Sequence, residues 1–252
     1  MSILISQIRD CHLPENPEQT YLGINPRRCL QELILKVKAL TPELLLATGD
    51  LSEDGSEVSY QALQEIFRQL GVPVLALPGN HDNPELLAEA FPGSPVNTMV
   101  ASSHGAWKVI RLNSCLPGKP EGRLSEMTVL ALEKFLRHYA DSPTIIALHH
   151  QPIEIGSPWI DKYRLFDSRN FLRLVDQNPS IRAVTWGHVH QVFETTRNGT
   201  HMLGCPSSAI NGQTVAPRFT PDIIGPACRW LELREDKTVL SGIIRASGTC
   251  EA

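Results

Sequence analysis

Residues 44–50 read LLLATGD, an apolar run that stops on a Gly-Asp pair. A run this short and this continuous fits a strand buried on both faces. The same figure recurs on either side of it. Residues 3–8 lead to Asp10-Cys11-His12, 72–77 to Gly79-Asn80-His81-Asp82, 144–148 to His149-His150, and 181–186 to Gly187-His188-Val189-His190. Helical spacing of apolar residues fills 26–40, 56–70, 125–139 and 166–177, with Asn25-Pro26 a cap and first-turn pair. Strands alternating with helices predict an α/β fold. Each motif then lies just past the C-terminal end of a strand, the edge where such sheets bind ligands.

The motifs hold metal-ligand chemistry. Read as extended chain, Asp10 and His12 are two apart and face one side, as are His188 and His190. Asp50 at a strand end is placed to bridge two ions, Asn80 adds an amide oxygen and His149 an imidazole. Mixed oxygen and nitrogen donors suit Mn, Fe or Zn better than Ca or Mg. The set contains no thiolate, which argues against a structural zinc site. Of the nine histidines, only His104, His138 and His201 lie outside the motifs. Singly the motifs are weak. Gly-Asp is a common turn, Asn80-His81-Asp82-Asn83-Pro84 reads as a polar turn capping a helix, and the histidine pairs read as strand ends. Their order and shared placement favour two metal ions and phosphate-ester hydrolysis.

From Gln191 onward, 191–197, 200–203, 229–233 and 239–244 read as short strands, with Asn198-Gly199 a hairpin signal. Residues 205–228, rich in Pro, Gly and Ser, read as one long loop. No break in composition divides the chain, so residues 1–252 are expected to form one domain. The six cysteines lack CxxC spacing and are expected to be reduced. A net charge of −4 without a basic tract argues against long nucleic acid as partner. No apolar run is long enough to span a bilayer, and the N-terminus does not read as a signal peptide, so a cytoplasmic location is the default.

These residues closely resemble the calcineurin-like metallophosphoesterase family, whose signature runs D-x-H, G-D, G-N-H-[DE], H and G-H-x-H. A narrower resemblance, carried by TYLGIN (20–25), LLLATGDLSEDGS (44–56), LPGNHD (77–82), RLSEMTVLALEKFL (123–136), ALHHQPIEIGSPWIDKYRL (147–165) and WGHVHQ (186–191), is to class III bacterial cyclic-nucleotide phosphodiesterases. The family implies a four-layer α/β/β/α sandwich with two mixed sheets. It implies Asp10, His12, Asp50 and His190 around one metal and Asp50, Asn80, His149 and His188 around the other, with Asp50 shared. Iron and manganese are the expected metals, with zinc or cobalt as alternatives.

The expected reaction is hydrolysis of 3′,5′-cyclic AMP to the 5′-monophosphate by a hydroxide held between the metals. Asn80 and His81 are the catalytic side chains, and His12, Asn80, His81 and His190 face the substrate. Other diesters, including 2′,3′-cyclic nucleotides and glycerophosphodiesters, remain as the alternative, and a catalytically dead scaffold would lack ligands that are present here. A homodimer is left open. Cys11 reads as a small buried hydrophobe, and Gln151 and Glu154 as a rim of low basicity. His150 is read either as orienting His149 or as packing. Trp159 is read either as a stacking face for a purine or as an anchor for its loop.

Overall fold

The computed structural model describes residues 2–222 and 224–246, so Cys250 lies outside the described residues. Two sheets carry the architecture. The first has the spatial order Val239–Arg245, Ala227–Leu233, Ile3–Ile8, Leu44–Thr48, Val74–Leu77. Its last three strands run parallel, while Ala227–Leu233 pairs antiparallel with both of its neighbours. The second has the order Phe193–Arg197, Thr200–Gly204, Ile181–Trp186, Thr144–Leu148, Trp107–Leu112, Met99–His104. Its four inner strands are parallel and both edge strands antiparallel.

Side-chain alternation along these strands builds three cores. Leu44 and Leu46 enter a core shared with Val109, Ile145, Ala147, Ala183 and Leu203, between the sheets. Leu45 and Ala47 point the other way, onto helices Pro26–Ala39 and Glu57–Arg68. On the second sheet Ile110, Ile146 and Val184 meet Leu132 and Leu136 of Glu126–His138 and Phe171, Leu174 and Val175 of Arg169–Gln177. The layers are therefore helix, sheet, sheet, helix, as the resemblance implied. Among the described residues no helix is long and apolar enough to cross a membrane.

Helix starts follow local chemistry. The Asn25 side chain accepts the Arg28 N–H at 3.0 Å ahead of Pro26, and Ser125 accepts the Thr128 N–H at 3.1 Å. The helix expected over 166–177 begins only at Arg169, because Leu165–Phe166 pairs with Gly122–Arg123 as a short ladder. The hairpin Met99–His104 with Trp107–Leu112 had no reading in the sequence. The long loop after Cys205 carries a two-residue ladder, Asn211–Gly212 with Pro221–Asp222, and gives way to strand at Ala227.

Candidate metal centre

All five motifs converge where the two sheets' strands end. Tight approach is achieved with glycine. A Cβ on Gly49, at φ +87°, would come 2.4 Å from His149 Nδ1, and one on Gly79 would come 2.2 Å from the Asp50 nitrogen. The backbone corrects one expectation. Asp10, His12, Asp50, His188 and His190 are not extended; each has a positive φ, between 45° and 67°. These left-handed corners, rather than strand alternation, bring the paired side chains inward. Such single-residue corners each cost on the order of 1–3 kcal/mol and persist only where surroundings hold them.

The surroundings that hold them are visible. The Asp10 N–H donates to the Gly49 carbonyl (2.9 Å) and the His12 N–H to the Asp50 carbonyl (3.0 Å). Ser207 and Ser208 hydroxyls donate to the Asp10 and Arg9 carbonyls, at 2.9 and 2.8 Å. The half-buried Asp82 carboxylate accepts from the Gly79, Leu51 and Ser52 N–H groups and from the Tyr60 hydroxyl, stapling the loops after two strands together. The polar-turn reading of this stretch also holds at Asn83, whose side chain caps helix Pro84–Ala90.

Three imidazoles are oriented by fixed acceptors. A carbonyl can only accept, so His149 Nδ1 donates to Thr48 O (3.0 Å) and His190 Nδ1 to Ile210 O (2.8 Å). His12 Nδ1 lies 2.6 Å from Glu53 Oε2. Each ring is left with an Nε2 lone pair turned inward, the arrangement metal-ligating histidines need. His12 Nε2 and His190 Nε2 lie 3.4 Å apart, and His190 Nε2 is 3.4 Å from Asp10 Oδ2. His149 Nε2 is 3.3 Å from Asp50 Oδ2. Asn80 Oδ1, His149 Nε2 and His188 Nε2 are buried and have no hydrogen-bond partner, and Asp10 Oδ2 has none beyond its contact with Arg9 Nη1. Buried polar atoms are ordinarily satisfied. Three such orphans of O and N type beside a buried carboxylate fit a cluster meant for cations.

Among the described residues, donor atoms lie within 4.8 Å of one another in four sets: Asp10–His12–His190, Asp10–Asp50–His149, His149–His150–His188 and His12–Glu53–His81. Asp10 belongs to the first two, and Asp50 to the second alone. Asp50 meets its expected neighbour His149, and its Oδ1 accepts the His81 N–H at 2.9 Å. Burial opposes the Asp50 charge, but His149, His81 and His12 hold its pKa well below the usual carboxylate range. His188 is enclosed with its ring 5.0 Å from His149.

His81 stands at the rim. Burial would lower its pKa, but Asp50, Glu53 and Asp82 together raise it. Its Nδ1 lies 3.3 Å from Glu53 Oε2. His150 has both nitrogens occupied, Nδ1 by Ser114 Oγ (2.8 Å) and Nε2 by Pro120 O (3.2 Å), so it is a packed wall behind His149 and His188. Gln151 is no rim residue; it is buried, with its amide donating to Ile160 O at 3.1 Å. Cys11 is buried in the helix-side core of the first sheet.

Some neighbours of the centre have no signal in the sequence. Arg9, Glu53, Ser207 and Phe219 belong to no ligand pattern, and residues 205–228 read only as a long loop of underived geometry. Tyr21 stacks on His12 with ring centroids 4.1 Å apart. Phe219 packs edge-on against both His190 and Trp159. Only the quoted stretches 20–25 and 44–56 pointed near two of them.

Comparison with known proteins agrees with this geometry. The calcineurin-like phosphoesterase model matches residues 8–192. A 3′,5′-cyclic-nucleotide phosphodiesterase from Nostoc sp. is 34% identical, over 97% of this chain and 93% of its own. A probable cyclic nucleotide phosphodiesterase from Synechococcus sp. is 37% identical over 94% and 89%. A 3′,5′-cyclic adenosine monophosphate phosphodiesterase from Pseudomonas aeruginosa is 31% identical over 97% and 90%. Among solved structures, a dimetal phosphatase from Danio rerio superposes with TM-score 0.68 at 13% identity, covering 97% of this chain and 99% of its own. The calcineurin-like phosphoesterase family implies a two-metal centre, and the carboxylates, imidazoles and amide described above are its candidate ligands. The chain belongs to the calcineurin-like phosphoesterase family.

Proposed function

We propose that the chain is a metal-dependent phosphodiesterase that hydrolyses 3′,5′-cyclic AMP to the 5′-monophosphate, working as one domain over residues 1–252. The observation that carries the reading is the convergence of unpartnered, buried donor atoms on one point of a phosphoesterase fold. The substrate rests on relatives of 31–37% identity whose names state that reaction or cyclic nucleotides in general. Asp10, His12, Asp50, Asn80, His149, His188 and His190 would hold two cations, with iron and manganese the pair we favour. When bound, they supply concentrated positive charge to a phosphoryl group and lower the pKa of a water.

The chain's own residues do the rest. Asn80 offers an amide aimed into the cluster for the phosphoryl oxygens. His81 has Nδ1 turned to Glu53, which leaves Nε2 for the phosphate or the departing 3′-oxygen. The carboxylates around His81 favour its protonated form, so it is set up to donate. The balance is simple. Water oxygen joins phosphorus and releases one proton to solvent, the P–O3′ bond breaks, the proton from His81 goes to O3′, and His81 is reprotonated from solvent. Tyr21, Trp159 and Phe219 form an aromatic margin beside the ligands His12 and His190, suited to the flat face of a base.

The deciding experiment is a hydrolysis panel on metal-reconstituted protein with 3′,5′-cAMP, 3′,5′-cGMP, 2′,3′-cAMP and bis-p-nitrophenyl phosphate. Turnover of 3′,5′-cAMP above the others supports the proposal. Faster turnover of 2′,3′-cAMP, or of the nitrophenyl ester alone, replaces it with a broader diesterase.

A further inference from the structure

Arg9 is a buried cation that hydrolysis does not call on. Its side chain is 0% exposed. One guanidinium nitrogen, Nη2, donates to the Cys205 carbonyl. Another, Nη1, abuts Asp10 Oδ2, while Nε and Nη1 make no hydrogen bond. Burial lowers its pKa to about 10, so it keeps its charge at neutral pH. Its stem is fixed as well, since a Cβ on Gly187 would come 3.1 Å from Arg9 Cδ.

The oxygen that Arg9 touches decides the matter. Asp10 Oδ2 is the atom 3.4 Å from His190 Nε2, which is itself 3.4 Å from His12 Nε2. The carboxylate corner of that donor triangle therefore faces a guanidinium. The charge of Arg9 also reaches Asp50, but without direct contact: among the described residues the ion pair of Asp50 is with His149. Two cations cannot share one carboxylate oxygen in a low-dielectric site without strong repulsion. In the metal-free protein the same contact offsets a buried carboxylate charge that would otherwise be costly.

We propose that Arg9 is a built-in competitor for the metal at the Asp10–His12–His190 position, so that the two metals bind in unequal steps, the Asp50–Asn80–His149–His188 position filling first. This rests on the two-metal reading of the site.

The test titrates EDTA-treated protein with Mn2+ alone by calorimetry. Bound metal is counted after dialysis, and coupled Mn pairs are detected by electron paramagnetic resonance. Wild type should bind in two resolved steps. Arg9→Met keeps the stem without the charge; it should tighten the weaker step about tenfold or more, the scale of outer-shell effects on metal affinity. Coupled pairs should then appear at lower Mn2+, and the metal-free protein should melt earlier. Two equal steps in wild type, or a weaker step that Arg9→Met leaves unchanged or loosens, overturns the proposal and makes Arg9 a packed counter-charge. If Arg9→Met does not fold, Arg9→Gln decides in its place, because its amide can still donate to a carbonyl but carries no charge. A weaker step tightened in Arg9→Gln supports competition, and one unchanged or loosened rejects it. If wild type binds no Mn2+ at all, the metal reading itself fails, and the competitor with it.

Discussion

The two halves of the donor cluster are built differently. The His149–His188 half is sealed. Its rings pack on each other and on His150, which Ser114 and Pro120 hold from behind. The His12–His190 half is a margin, flanked by Tyr21, Glu53, His81, Trp159 and Phe219, with Arg9 beneath it. The sealed half resembles a rigid socket, in which the Thr48 carbonyl orients His149 and ring packing against His149 and His150 encloses His188. The marginal half carries the charged and aromatic groups that can respond to substrate, proton and metal. Rigidity and responsiveness are thus divided across a distance of one carboxylate.

The largest expected effect tests where the halves join. Losing a ligand shared by two cations removes charge stabilisation worth about 4 kcal/mol or more, roughly 10³-fold in rate. Sequence reading gives that place to Asp50, whereas the donor grouping gives it to Asp10. Metal content and turnover of Asp10→Ala and Asp50→Ala decide. The variant that loses both metals marks the bridge, and a bridge at Asp10 would shift the junction toward Arg9.

His81→Ala should keep both metals and lose about 10²-fold in rate on cAMP, the low end for a missing general acid. The loss should shrink on a nitrophenyl diester, whose leaving group needs little protonation. Equal losses on both substrates would make His81 a phosphate-binding group and weaken the picture of a responsive margin.

Trp159 is half-buried, edge-on to Phe219 at 5.1 Å, and packs partly on the second sheet's helix-side core. If it stacks on a purine, Trp159→Ala should raise KM for cAMP by the equivalent of about 1–3 kcal/mol, spare a small diester and leave Tm unchanged. Loss on both substrates with a lower Tm would make it a loop anchor.

The smallest effect is the pH dependence of the metal-free protein. Burial, followed by neighbouring histidines, pushes His150 and His188 well below the ordinary histidine value; for His190 the second cause is Arg9. Groups with depressed folded pKa give stability that is present above the unfolded value, near 6.5, and lost as pH falls through the folded one. His81 is raised and acts in the opposite sense, adding stability below that value. Three groups against one predict that Tm of the metal-free protein falls as pH drops below about 6.5. A flat or rising Tm would mean that the sealed half already admits protons.

Much of this molecule was legible in its sequence. Short apolar runs ending in Asp, Asn and His, with helices between, gave the strand and helix order and the edge where ligands gather. Strands 3–8, 144–148 and 181–186 match residue for residue, because alternation and length leave a buried strand few other readings. The hairpin Met99–His104 with Trp107–Leu112 escaped, since its half-buried first strand carries little apolar signal.

The sequence by itself determined which residue types line the centre and in what order, because a metal cluster demands donors that are chemically conspicuous. Only the tertiary structure decided how they are aimed. Left-handed corners at Asp10, His12, Asp50, His188 and His190 replace the expected extended chain, and they are held by contacts from loops distant in sequence. Arg9 beside Asp10, Glu53 behind His12 and the 205–212 loop over both ligand pairs are non-local facts. Their residue types are ordinary, and only proximity in the folded chain gives them a role.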